Sequence, residues 1–382
     1  MSQPKKQWLP TAANARSADH LDWTAKQGRI VTGSKRADTL YVPERGFPFS
    51  EFELPHFHKM KNTTHSAFKE WKEQGRTSDL VVGAWSRPLF VGGWEHTTDK
   101  DETVMNLQTM TLFIDFRIPT KRPNFSGASS LSHLTDIQLR HFARQHVFGG
   151  YTLPTISEKN GRPLCTRHHC IDWNFVGAPR SRPNKWYVEI DKTSRNVWKE
   201  WSFATDENAQ HYYWERWQRY DEDGHFGGQN SNNSPVIALR RSPNNAHKRD
   251  GLLIIVGKHF NYLHDRLAVT VPGLSGGNSP TGLVGMVDAA IAQGKRTLAE
   301  QYLSIEAGHG IRDSDGKFVI HNDIRPWNEG SVFLDPERDD IQIIDEKVAT
   351  INGERWDIFE SNLSVGALRA MFQARRLGSS KL

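Results

Sequence analysis

The stretch that decides the fold is Leu80–Pro119, LVVGAWSRPLFVGGWEHTTDKDETVMNLQTMTLFIDFRIP. Its apolar and aromatic residues recur at period two, not at helical spacing. In its last segment Phe113, Asp115 and Arg117 share one face, and Leu112, Ile114, Phe116 and Ile118 share the other. A carboxylate and a guanidinium two residues apart, backed by a wholly apolar face, predict the opening meander of a β-barrel around a polar-lined cavity.

Working outward, strand-like segments resume at 147–153, 163–173, 185–190, 195–203, 210–219, 235–241, 251–262, 297–306, 316–321, 330–334, 340–346 and 348–360. Few helices interrupt them. Thr135 and Gln138 form a capping box ahead of a helix, with Leu134 and Leu139 at the two staple positions. A second helix is expected over 281–293 behind Ser279-Pro280, and a third behind Ser364, with Val365, Leu368 and Phe372 on one face. Strand and helix do not alternate, which argues against a parallel sheet and leaves an antiparallel barrel or sandwich; closure disposes of exposed edges, and a barrel, either one large or two side by side, is expected. The polar stretch 221–234 is the best internal boundary. The expected organisation is an N-terminal extension over 1–78, partly disordered, a barrel domain over 79–362, and a C-terminal helix and tail over 363–382.

The 382 residues suffice for one large domain or two ordinary ones. The 13 tryptophans favour aromatic-walled interiors. Net charge is +5, but Lys and Arg are scattered and form no dense block, which argues against nucleic acid as a partner. No apolar run approaches the length of a membrane span. Two cysteines, Cys165 and Cys170, make no secreted disulfide framework. The last three residues, Ser380, Lys381 and Leu382, match the address read by the peroxisomal import receptor, so a peroxisome is the expected location and the cytoplasm the alternative.

Gly83-Ala84-Trp85 resembles the G-x-W with which lipocalins and the wider calycin superfamily open their barrels. The run from Trp85 through Asn106-Leu107-Gln108, Phe113–Pro119, Arg167-His168-His169, Ile171-Asp172 and Trp214-Glu215-Arg216-Trp217 is similar to a set of bacterial and fungal proteins of unknown function regarded as calycin-like barrels. Glu306–Gly310 and Pro326–Gly330 extend the likeness, which covers about residues 80–360. The resemblance implies a barrel whose Trp85 closes the floor beneath a basic side chain. It carries no activity.

The candidate chemistry lies along the barrel wall. Asp115, Arg117, Arg167, His169 and Glu215 are the candidate catalytic residues. An arginine can polarise a carbonyl, while Asp115 or His169 moves a proton. Trp85, Arg87, Gln108, Phe113, Tyr213 and Trp217 are the candidate ligand contacts. The competing reading makes Asp115 and Arg117 a buried ion pair that sets strand register. Cys165-Thr-Arg-His-His-Cys170 offers metal-ligand types, but adjacent residues on a strand face opposite ways and Arg167 would repel a dication, so no metal is expected. Gly273-Leu-Ser275-Gly-Gly277 fits G-x-S-x-G, yet residues 278–282 separate it from the following helix, and it reads as a flexible loop. No dinucleotide or phosphate-loop fingerprint occurs, and no cofactor is expected. These features suggest a barrel that binds a small, largely apolar molecule bearing a carbonyl or carboxylate and acts on it as a non-redox lyase, isomerase or hydrolase. A non-catalytic carrier is the alternative, and a module with a filled barrel is a third.

Overall fold

The computed structural model describes residues 81–373 apart from several connections, the longer of which are 177–183, 204–210, 221–233, 242–248 and 267–281. The expected extension over 1–78, Ser275, the caps Ser279 and Pro280, and the tripeptide Ser380-Lys381-Leu382 lie outside the described residues.

The chain is mainly β, with every strand pairing antiparallel in one of two nine-stranded sheets. The first sheet comprises β1 (Gly83–Gly92), β2 (His96–Thr98), β3 (Glu102–Gln108), β4 (Leu112–Pro119), β5 (His146–Ile156), β6 (Pro163–Asp172), β7 (Asn184–Ile190), β8 (Val197–Phe203) and β9 (His211–Arg219). Strand β9 pairs back onto β1, which closes eight strands into a barrel and leaves β2 as a flap on β1. The closing ladder shifts register between Ser86 and Leu89, around Pro88. Proline has no N–H to give the ladder, so an irregularity there lets β1 bend without orphaning a donor.

The second sheet comprises β10 (Val236–Arg241), β11 (Gly251–Val256), β12 (His259–His264), β13 (Glu306–Arg312), β14 (Phe318–Asp323), β15 (Val332–Leu334), β16 (Ile341–Ile343), β17 (Val348–Ile351) and β18 (Glu354–Ser361). It is an open, curled half-barrel. Two stretches expected as single strands are hairpins. Residues 251–262 turn at Gly257, and 348–360 turn at Asn352-Gly353, where φ is 52° and 77°. An Asn-Gly pair supplies the two left-handed residues of the second hairpin, and the apolar run 252–256 hides the turn of the first. The segment 297–306, expected as a strand, is instead helix α3 (Arg296–Tyr302) followed by the start of β13. Leu298, Ala299, Glu300 and Gln301 are strong helix formers, and Arg296 reaches Glu300 at 3.0 Å.

Helix α1 (Asp136–Phe142) starts at the expected capping box. The Thr135 N–H donates to Gln138 Oε1 at 2.8 Å, and the Gln138 N–H donates to Thr135 Oγ1 at 3.2 Å. Helix α2 (Gly282–Ala292) and α3 pack beside α1. The final helix, α4 (Val365–Phe372), is capped by Ser364 and buries Leu368, Met371 and Phe372 in the hollow of the second sheet.

The larger aliphatic core lies outside the barrel. Leu112, Ile114, Phe116 and Ile118 pack with Leu252, Ile254, Val256 and Leu263 of the second sheet and with α1–α3. The two sheets therefore share one core, and the barrel lumen is left to residues of a different kind. This architecture, a closed antiparallel barrel with a curled half-barrel, is consistent with a calycin-like barrel.

Candidate functional site

Strand register fixes what the lumen contains. Asn106 sits opposite Asp115, and Asp115 opposite Phe148; Gln108 sits opposite Phe113, and Val104 opposite Arg117. Directly opposed residues share a face, so these side chains turn inward together. Around the barrel the same rule brings in Thr152 opposite Arg167, Cys165 opposite Trp186, Glu200 opposite Glu215 and Trp198 opposite Trp217.

The inward charges form a sealed network. Arg117 grips both oxygens of Asp115, at 2.7 and 2.9 Å, in a bidentate pair. Arg167 reaches Asp115 Oδ2 at 3.5 Å and Gln108 Oε1 at 3.3 Å, and Thr152 donates to the same Gln108 oxygen at 2.9 Å. Arg87 bridges Glu215 at 2.6 Å and Glu102 at 3.1 Å. Asp115 is fully buried. Burial alone would raise its pKa, but Arg117, with Arg167 and Arg87 beyond it, outweighs that and holds the carboxyl below the usual range. It stays ionised and is a weak base.

His169 offers a different arrangement. Its Nδ1 lies 2.6 Å from Asp172 Oδ2, and its ring stacks on Phe148 with centroids 4.4 Å apart. The Asp172 carboxylate fixes the orientation of the imidazole through Nδ1, the arrangement by which a carboxylate positions a histidine that moves protons. Asp172 escaped sequence reasoning because it sits three residues beyond His169. The β5–β6 ladder shifts between Gly149 and Gly150, where His169 and Ile171 take successive partners, and Cys170 is the extra residue. That bulge turns both His169 and Asp172 inward, which strict alternation forbids.

Trp85 is wholly buried, and the Arg219 guanidinium lies 4.3 Å from its ring centroid. This is the arrangement the resemblance implies, now with the basic residue identified. Trp198 packs edge-on against Trp85 at 5.8 Å and stacks on Trp217 at 5.6 Å. Trp85, Trp186, Trp198, Trp217 and Cys165 belong to one buried cluster.

The predicted residues Trp85, Arg87, Gln108, Phe113, Asp115, Arg117, Arg167, His169, Glu215 and Trp217 thus all line the lumen. Tyr213 occupies an inward register position on β9, opposite Ser202, but its side chain lies outside those described. Several inward residues were not singled out: Glu102, Asn106, Phe148, Thr152, Trp186, Trp198 and Glu200. Asn106 is two residues before Gln108, so continuing the alternation along β3 would have found it. Cys165 faces the lumen, whereas Cys170 packs against the outer core. Among the described residues no three His, Cys, Asp or Glu side chains converge as a metal set.

Most lumen charges satisfy one another, but a group of polar atoms, all donors except Asn106 Oδ1, has no partner. The indole N–H groups of Trp186, Trp198 and Trp217, both polar atoms of the Asn106 amide and Nε of Arg167 are buried without a hydrogen-bond partner. Each such group costs about 1–3 kcal/mol unless something accepts its bond.

A second polar cluster joins barrel and second sheet. Asn261 donates to the Met105 and Ile114 carbonyls of the barrel at 3.1 and 3.2 Å. Its Oδ1 accepts from His309 Nδ1 at 2.7 Å, and His259 Nδ1 lies 3.4 Å from His309 Nε2. Burial, then the neighbouring His259 and His321, push His309 well below the ordinary histidine value of 6.5. Its folded pKa is depressed, so its stabilising effect is present above pH 6.5 and is lost as pH falls below it. Each unit in which the ring stays neutral costs about 1.4 kcal/mol. Asp323, raised by burial to about 7, titrates with the opposite sign across part of that window. The difference between the native protein and His309→Gln isolates the histidine. The native protein should lose more stability between pH 7 and 5 than the variant does, as read from urea unfolding; equal losses would show that His309 does not govern this junction.

No protein-family model matches the chain, and no curated protein matches it. Among solved structures, the chain is similar to the crystal structure of an uncharacterized protein from Saccharomyces cerevisiae, at 12% identity and a TM-score of 0.43 over 73% of this chain and 98% of that one.

Proposed function

We propose that the barrel lumen binds a small, largely apolar molecule bearing a carbonyl or carboxylate, and that His169, oriented by Asp172, moves a proton on it without a redox cofactor. One observation carries the reading: the unpartnered donors of Trp186, Trp198, Trp217, Asn106 and Arg167 share one aromatic-walled lumen. Indole N–H groups donate and cannot accept, so the complementary guest is rich in acceptor oxygens at one end. The aromatic rings suit an apolar body at the other. These donor atoms are sealed from solvent, so entry requires the barrel end to open and association should be slow.

The experiment is native mass spectrometry of the full chain purified from its own cells, followed by release and identification of the bound molecule. A carbonyl or carboxylate compound should appear, and Trp186→Phe, Trp198→Phe and Trp217→Phe should each weaken its retention by about tenfold. Recovery of an empty barrel, together with no rise in melting temperature for any carbonyl or carboxylate compound offered, would overturn the reading.

A second reading, a carrier that does no chemistry, is favoured by Asp115, whose oxygens are committed to arginines. Turnover of the identified molecule that titrates and is abolished by His169→Phe identifies an enzyme; binding with no product identifies a carrier. Peroxisomal import through Ser380-Lys381-Leu382 is part of the same proposal. A fluorescent fusion keeping these residues at its C-terminus should be punctate, and deleting them should disperse it.

A further inference from the structure

The curled second sheet has two unlike ends. At one, α4 fills the hollow, with Phe372 stacked on Phe318 at 5.9 Å and Arg312 donating to the Met371 carbonyl. At the other, strand register sets Arg241, Gly251, His264 and Glu306 in a row across β10–β13, and Trp356 of β18 completes it. This end reaches solvent: the side chains of His264, Arg325 and Glu306 are 14, 18 and 29% exposed.

Three polar atoms in that row have no partner: Nε of Arg241, whose Nη1 is held by Glu354, and two of opposite hydrogen-bonding sense to each other, Nε2 of His264 and Nε1 of Trp356. His264 turns Nδ1 toward Glu306 Oε2 at 3.5 Å. Burial would raise the pKa of Glu306, but the His264 contact, with Arg325 at 2.9 Å and Arg249 at 3.1 Å, keeps it ionised. The carboxylate holds the imidazole proton on Nδ1, and burial, more than the nearby Arg241, drives the ring neutral. The buried, unpartnered Nε2 of His264 is therefore a lone-pair acceptor. Beside it, with ring centroids 6.0 Å apart, Trp356 is 3% exposed and its indole N–H is buried with no acceptor. A hydroxyl group is the smallest group that answers both, donating to one and accepting from the other. Tyr262, 5.7 Å from the His264 ring and stacked on Phe333 at 4.4 Å, adds an aromatic wall, and the Arg241 guanidinium lies 5.5 Å from the Trp356 ring.

We propose that this end of the second sheet is a binding site, separate from the barrel lumen, for a small hydroxyl-bearing molecule with an apolar body, whose hydroxyl bridges His264 Nε2 and Trp356 Nε1. The site does not depend on the function proposed for the barrel, because no residue is shared between the two.

The test uses the full chain and three probes: phenol, benzyl alcohol and, as the isostere lacking the hydroxyl, toluene. The readout is the Trp356 indole N–H resonance, assigned by its loss in Trp356→Phe, together with the His264 ring resonances. Phenol or benzyl alcohol should shift both saturably, and toluene should bind about tenfold more weakly. Trp356→Phe keeps the ring and removes only the donor, so it should weaken phenol about tenfold as read at His264; His264→Phe should do the same as read at Trp356. Equal binding of phenol and toluene, phenol affinity unchanged in Trp356→Phe, or a fixed water between the two atoms that phenol fails to displace would overturn the proposal.

Discussion

Asp115→Ala is expected to destabilise the protein by about 3–5 kcal/mol, because it removes one partner of a buried ion pair and leaves the others charged. The carboxylate accepts two bonds from Arg117 and one from Arg167, and its side chain is wholly inaccessible. Without it, two guanidinium groups remain in a lumen where water does not screen them. Arg117 also lies over the Phe148 ring at 5.2 Å, a contact too weak to replace the carboxylate. The double variant Asp115→Leu with Arg117→Met should recover most of the loss, since apolar groups of similar volume commonly replace a buried pair at little cost. Denaturant unfolding measures both. A single variant that loses less than about 1 kcal/mol would mean the pair is solvated in solution. The same measurement bears on mechanism. If Asp115→Ala folds poorly while His169→Phe folds well and loses turnover, register-setting falls to the first residue and proton transfer to the second.

Gly310→Ala is the second large effect, at about 3 kcal/mol. Gly310 lies on β13 between Phe260 of β12 and Ile320 of β14, at a register shift in the β13–β14 ladder. A Cβ built there would sit 2.1 Å from the Val319 carbonyl oxygen and 2.5 Å from the Phe260 ring. The carbonyl is backbone and cannot swing aside. The Phe260 ring is wholly buried, edge-on to Phe318 at 5.4 Å and stacked on Phe333 at 5.5 Å, so it has no free rotamer to take. The strands must separate, which costs ladder bonds and core packing together. Adding Phe260→Leu should relieve only part of the loss, because the clash with the carbonyl remains. Full rescue by that second change would place the strain in the ring alone.

Much of the fold was legible in local pattern, and the exceptions share a cause. Period-two alternation in 112–118 identified a two-faced strand, and the capping box at Thr135 located a helix, because both depend only on residues a few positions apart. The hairpin at 257 was hidden by the apolar run 252–256, and the helix at 296–302 and the hairpin at 352–353 lie in short mixed segments whose few apolar residues satisfy more than one period. The residues found by alternation fall on the inward side of the ladder, Tyr213 by its register position alone. Asp172 was missed because the bulge at Cys170 breaks the period, and such a bulge is set by pairing with β5, not by its own sequence.

The amino-acid sequence by itself determined that Asp115, Arg117, Arg167 and His169 lie on the polar faces of strands and that the opposite face of β4 is apolar, since side-chain direction along an extended chain follows from backbone geometry alone. Only the tertiary structure decided what those faces meet. It laid the apolar face of the barrel against the second sheet, spent Asp115 on arginines, paired His169 with Asp172, and left the Trp186, Trp198, Trp217 and Trp356 N–H groups without acceptors. Each of those outcomes depends on strand pairings made by residues far apart in the chain, and on which donors find an acceptor once water is excluded, neither of which a local pattern encodes.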